Sequence, residues 1–168
     1  MKIITLYGPN KSGKTTLIKS IYNELGKEFQ NRVFFEKCGA DNNDFKALVR
    51  YRKKTIAFCS IGDPADDEKL GYKHIPAEYI LAGLVFASEH KADILINAFS
   101  KSFSTMKNGK LEFTVELYKA LVETNRNNLD MITMISKPDD YDFQTKQQKE
   151  KLEEVLEKIN LYIQKENG

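Results

Sequence analysis

Gly8-Pro9-Asn10-Lys11-Ser12-Gly13-Lys14-Thr15 is the stretch on which the rest of the chain is organised. It follows the apolar run Lys2–Tyr7 and leads through Thr16 into Leu17, Ile18, Ile21 and Leu25, apolar positions spaced as one face of a helix. The order is therefore strand, glycine-bounded loop, helix. Gly8 and Gly13 permit backbone conformations that a side chain would obstruct. The N–H groups between them suit an anion-binding nest, and the first turn of the following helix adds orphan N–H groups at the same place. Lys14 supplies a cation and Thr15 a hydroxyl oxygen.

This G-x-x-x-x-G-K-[ST] spelling resembles the phosphate-binding loop of the P-loop NTPases, matched at Gly8, Gly13, Lys14 and Thr15. The resemblance implies that residues 8–16 cradle a nucleoside triphosphate, ATP or another NTP. It implies that Lys14 reaches the β- and γ-phosphates and that the Thr15 hydroxyl ligates Mg²⁺. It is specific over about eight residues and names no substrate, because P-loop folds host many activities.

Outward from the loop, apolar runs alternate with amphipathic ones. Further strands are expected at Arg32–Cys38, within Lys54–Asp63, at Ala92–Ala98 and at Asp130–Ser136. Helices are expected at Lys14–Lys27, His74–Lys91, Lys110–Arg126 and Asp142–Lys165, with a short helical stretch at Phe45–Tyr51 after a polar cluster rich in cap residues. The pattern predicts an α/β fold: a three-layer sandwich whose roughly five-stranded, mostly parallel sheet is flanked by helices. Ligands in such folds bind beyond the carboxyl ends of the strands. Gly8–Thr15, Gly62–Asp63, Phe99–Gly109 and Ser136–Asp139 all follow strands, so they are expected to converge on one edge.

Asp63, closing the apolar run Ile56–Asp63, is similar to the acidic residue that helps hold Mg²⁺ in P-loop proteins; the alternative is a turn residue before Pro64. Lys14 and Asp63 are thus the candidate catalytic pair, with Thr15 and Asp63 at the metal. Ser136-Lys137-Pro138-Asp139 resembles the [NT]-K-x-D guanine motif of GTPases, in which Asp139 would meet the base edge. Its first residue is Ser, however, and no D-x-x-G follows the third strand, so a wall of a base pocket is the preferred reading. Lys101 and Lys107, among the hydroxyls of residues 99–109, occupy the place of a lid or substrate loop, although a solvated surface loop is the preferred reading. Arg50–Lys54 reads as a solvated basic cluster.

At 168 residues, 41 % apolar and 30 % charged, the sequence reads as one soluble domain. A net charge of +2 gives no reason to invoke nucleic acid or a membrane surface. No apolar run is long enough to span a bilayer and the first residues do not read as a signal peptide, so a cytoplasmic setting is expected. Cys38 and Cys59 lack metal spacing and read as small buried groups in a reducing compartment. The functional expectation is an ATP- and Mg²⁺-dependent NTPase or small-molecule kinase. The alternatives are a nucleotide-gated regulatory module that meets a protein partner or a second copy of itself, and a GTPase using Ser136–Asp139. Four arginines, none within residues 99–109, speak against a nucleoside-monophosphate kinase.

Overall fold

A computed structural model describes residues 1–9, 11–38, 44–61, 76–100, 115–124, 128–137 and 139–167. Six strands form one sheet: β1 (Lys2–Gly8), β2 (Arg32–Cys38), β3 (Asp44–Tyr51), β4 (Lys54–Cys59), β5 (Ile94–Ser100) and β6 (Asn128–Thr133), in the order β2-β3-β4-β5-β1-β6. The pairings β4–β5, β5–β1 and β1–β6 are parallel, whereas β2–β3 and β3–β4 are antiparallel. The helices are α1 (Lys14–Leu25), α2 (Pro76–Glu89), α3 (Val115–Thr124) and α4 (Tyr141–Asn167).

Helices cover both faces of the sheet. On one face Leu17, Ile18 and Ile21 of α1 and Val155, Ile159 and Ile163 of α4 pack with Ile4, Leu6, Ile56 and Phe58 of the sheet. On the other, Phe86 of α2 and Tyr118 and Val122 of α3 pack with Ile3, Ala57, Leu95 and Phe99. Successive residues of the central strands therefore enter opposite cores, which is why those strands read as continuous apolar runs. The apolar stripe of α4 is buried against the sheet. Under the α3 face, Thr5 donates to the Asn97 amide oxygen at 2.7 Å and shares a 2.7 Å bond with the Tyr118 hydroxyl. Burial pushes the Tyr118 phenol pKa up, so the ring stays neutral within this network.

The expectation of a helix at Phe45–Tyr51 is wrong: the segment is β3, and the sheet has six strands rather than five. Phe45, Ala47 and Val49 enter the α1 core while Leu48 enters the other, the two-residue period of a strand. Arg52 and Lys53 form the two-residue connection to β4, with φ of 49° and 66° and with Tyr51 paired to Lys54. This is the left-handed pair that tight hairpins use, built without the Asn-Gly that usually announces it. The expected basic cluster Arg50–Lys54 is therefore a hairpin tip.

Strand ends also shift. The third expected strand stops at Cys59, and the last runs Asn128–Thr133, not Asp130–Ser136. After Met134, whose N–H donates to Tyr7 O at 2.7 Å, the chain leaves the ladder. Ile135 is then paired by a side chain: its N–H donates to Gln147 Oε1 at 2.7 Å and its carbonyl accepts from Gln147 Nε2 at 3.0 Å. The N-terminus of α4 is capped by Asp140, whose carboxylate accepts from Phe143 N–H at 2.8 Å. Cys59 is buried and Cys38 half-buried, both free; burial pushes their thiols up to about 12 and about 11. Among the described residues no helix is long and apolar enough to cross a membrane.

Candidate functional site

The parallel registers set the carboxyl ends of β4, β5, β1 and β6 at one edge of the sheet: Gly8 stands level with Ser100, and Tyr7 with Thr133. Because β3 runs antiparallel to β4, its first residue, Asp44, arrives at this edge as well. The chain leaves β1 at Gly8 and enters α1 at Lys14.

Each motif glycine answers a local demand. A Cβ on Gly8 would stand 2.5 Å from the main-chain oxygen of Met134 and 3.0 Å from Ser12 Oγ. Gly13, the residue before α1, has φ +85° and ψ 17°, a left-handed conformation that favours glycine. A Cβ there would also collide with Gln148 Nε2, which instead donates to Gly13 O at 3.0 Å. Lys11, at φ 58°, is a second left-handed residue in the same turn. The loop is thus curled between β1, the segment after β6 and the first turns of α4.

Lys14 is 4 % exposed. Its ammonium folds back onto the loop, donating to Pro9 O at 2.7 Å and Gly8 O at 3.1 Å. The Ser12 hydroxyl is buried and lacks a hydrogen-bond partner among the described residues, as do Gln144 Nε2 and Gln148 Oε1 beside Gly13. Such atoms are rare in folded proteins; here they cluster around one loop. Thr15 is half-buried, and Lys11 and Thr16 are exposed.

Thr15 also leads to a residue that the sequence reading missed. Its hydroxyl donates to Asp44 Oδ1 at 3.3 Å. The same oxygen accepts from Ser60 Oγ at 2.8 Å, and Ser60 Oγ accepts from Phe45 N–H at 2.9 Å. Ser60, 1 % exposed, follows the last residue of β4. In the sequence, Asp44 closes the polar run Ala40–Asp44 and looks like a helix cap. A strand reading of the alternation at Phe45, Ala47 and Val49 would have been the signal that it belongs to the loop edge.

Of the expected convergence, two loops are seen to meet: Ser136 Oγ donates to Lys11 O at 3.4 Å. Lys137 holds its ammonium 4.3 Å from the centre of the Phe143 ring, and Asp139 is exposed. Asn10, Asp63 with Gly62, Pro138, the acidic residues Asp66, Asp67 and Glu68, and residues 101–109 with Lys101 and Lys107 lie outside the described residues. Among the described residues no three His, Cys, Asp or Glu side chains gather as a metal cage. Thr15 and Asp44 are oxygen donors of the hard type that suits Mg²⁺, a cation that keeps waters and takes one or two protein oxygens alongside substrate phosphates. No protein-family model, curated protein or solved structure matches the chain.

Proposed function

We propose that the chain binds a nucleoside triphosphate, ATP in the first instance, together with Mg²⁺ at residues 8–16. In this reading the fold is a P-loop-type three-layer sandwich working in the cytoplasm, and the γ-phosphoryl group is hydrolysed or passed to a small-molecule acceptor. The observation that carries the reading is the build of the loop. A glycine ends the central parallel strand, a left-handed glycine opens the helix, and the intervening turn holds a buried lysine ammonium. Left-handed residues within a tight turn are the geometry in which backbone N–H groups gather on one side as an anion nest.

The roles follow from charge. Lys14 leaves the carbonyls of Gly8 and Pro9 for phosphate oxygens, which make the stronger, charge-assisted partners. Thr15 and Asp63 are the residues proposed to hold Mg²⁺, which when bound neutralises charge on the phosphate oxygens. Catalysis is then mainly positioning and charge stabilisation. Ser136, tied to Lys11, places residues 136–139 beside the loop as a wall for the base. The test is calorimetric titration with ATP and with GTP, each with Mg²⁺ and with EDTA. ATP binding strengthened by Mg²⁺ supports the reading, GTP preference moves it to the guanine motif, and no binding of either removes it. Steady-state turnover with candidate acceptors separates an enzyme from a nucleotide-gated module.

A further inference from the structure

We propose that Asp44, clamped by Ser60, is the positioning residue that prepares Thr15 to hold the Mg²⁺ of the bound nucleotide. The inference rests on the nucleotide reading above and adds a residue to it. The geometry is a directed relay. Phe45 N–H donates to Ser60 Oγ at 2.9 Å, leaving the Ser60 proton to point at Asp44 Oδ1, 2.8 Å away. The same carboxylate oxygen takes the Thr15 proton at 3.3 Å.

A hydroxyl has one proton and two lone pairs. With the Thr15 proton committed to Asp44, its lone pairs face away from the carboxylate and are available to a cation. Outer partners that fix the orientation of a metal ligand, and raise its basicity, commonly control metal affinity. A second, independent sign of a ligand lies in the same loop. The Ser12 hydroxyl, 1 % exposed, has no hydrogen-bond partner among the described residues and lies 3.0 Å from where a Cβ on Gly8 would stand. It is therefore turned into the loop and poised to donate to a bound oxyanion.

The assignment also explains why a serine follows β4 directly. Ser60 has no charge to offer the ion, but its short side chain bridges the backbone of Phe45 to the Asp44 carboxylate. Asp44 reaches the edge because β3 is reversed relative to β4. The acidic group thus comes from the start of an antiparallel strand.

The experiment uses the full chain with ATP and with Mn²⁺ in place of Mg²⁺, so that bound metal is read by electron paramagnetic resonance independently of turnover. ATP affinity in EDTA is measured alongside by calorimetry. In Asp44→Asn, ATP binding in EDTA should stay within about twofold of the parent, while Mn²⁺ affinity in the ATP complex falls roughly 10- to 100-fold. Ser60→Ala, which keeps the carboxylate but removes one of its anchors, should lose about fivefold. Thr15→Val should lose Mn²⁺ affinity on its own, and adding Asp44→Asn to it should cost little more, because Asp44 acts through the threonine. Coincident Mn²⁺ titrations of parent, Asp44→Asn and Ser60→Ala would overturn the proposal while leaving nucleotide binding at residues 8–16 standing. Additive losses in the double variant would overturn the route through Thr15. A parent that binds no ATP in either condition removes both readings together.

Discussion

The two edges of the sheet use polar residues in opposite ways. At the edge where β1 begins, Lys2, 7 % exposed, meets the Asp130 carboxylate at 2.9 Å and the Asn128 amide oxygen at 2.7 Å. Lys158 of α4 approaches the same carboxylate at 3.5 Å, while Asp93 accepts from Thr55 N–H and pairs with Lys54. Charges there meet opposite charges. At the edge where β1 ends, the Lys14 ammonium rests on carbonyl oxygens, Asp44 is bonded to hydroxyls, and the unpartnered buried polar atoms of the described residues are gathered. One edge is satisfied internally and holds the fold. The other gathers Ser12 Oγ, Gln144 Nε2 and Gln148 Oε1, buried without a hydrogen-bond partner among the described residues, which is the spare capacity that the proposed oxyanion would use.

The largest effect that sharpens this contrast is at Lys14. Lys14→Ala should weaken triphosphate binding at least about 100-fold, since charge-assisted bonds to phosphate are lost, with little change in the urea midpoint. Unchanged ATP affinity would break the comparison outright. Gly8→Ala should damage both properties. Its new Cβ meets a main-chain oxygen that cannot swing aside, which should cost about 1–3 kcal/mol in urea unfolding and distort the loop.

Asp130→Asn should do the reverse of Lys14→Ala, losing about 1–2 kcal/mol of stability with ATP affinity intact. Burial tends to raise the Asp130 pKa, but the Lys2 bond and the charges of Lys2 and Lys158 outweigh it and hold the carboxyl below its ordinary value. Its folded pKa being depressed, the stabilisation is full above the unfolded value of about 3.9 and disappears as pH falls through the folded one. Unfolding curves of parent and variant should therefore merge in strong acid. A gap that persists there would mean that packing, not charge, is the cause. The smallest effect is at the hairpin tip: Lys53→Gly should gain about 0.5 kcal/mol, relieving a left-handed lysine against glycine's extra unfolded-state freedom, and leave binding untouched.

How far the sequence reveals this contrast depends on where the signal is local. The glycine loop was legible because its spelling, strand and helix are contiguous, although only Gly13 answers to conformation; Gly8 answers to the close approach of the Met134 main-chain oxygen. The parallel strands were legible because burial on two faces makes apolar runs such as Ile56–Cys59 and Ile94–Ala98. Phe45–Tyr51 misled because five apolar residues in seven satisfy either period, and because Arg52-Lys53 carries no hairpin signature. That single misreading hid the antiparallel strand and with it the position of Asp44. The Lys2–Asp130 pair and the Gln148–Gly13 bond join residues more than a hundred positions apart, beyond what a local pattern encodes.

That long reach has a consequence for the order of events during synthesis. The loop is synthesised well before Gln148, which bonds the Gly13 carbonyl and follows 135 residues later. Until α4 is made the Gly13 turn lacks this clasp, although both sheet neighbours of β1, β5 and β6, precede α4 in the chain. Nascent chains stalled before Tyr141 should therefore carry the complete glycine loop without the Gln148 bond to the Gly13 carbonyl. The last contact around the loop would arrive as one late step rather than growing with chain length.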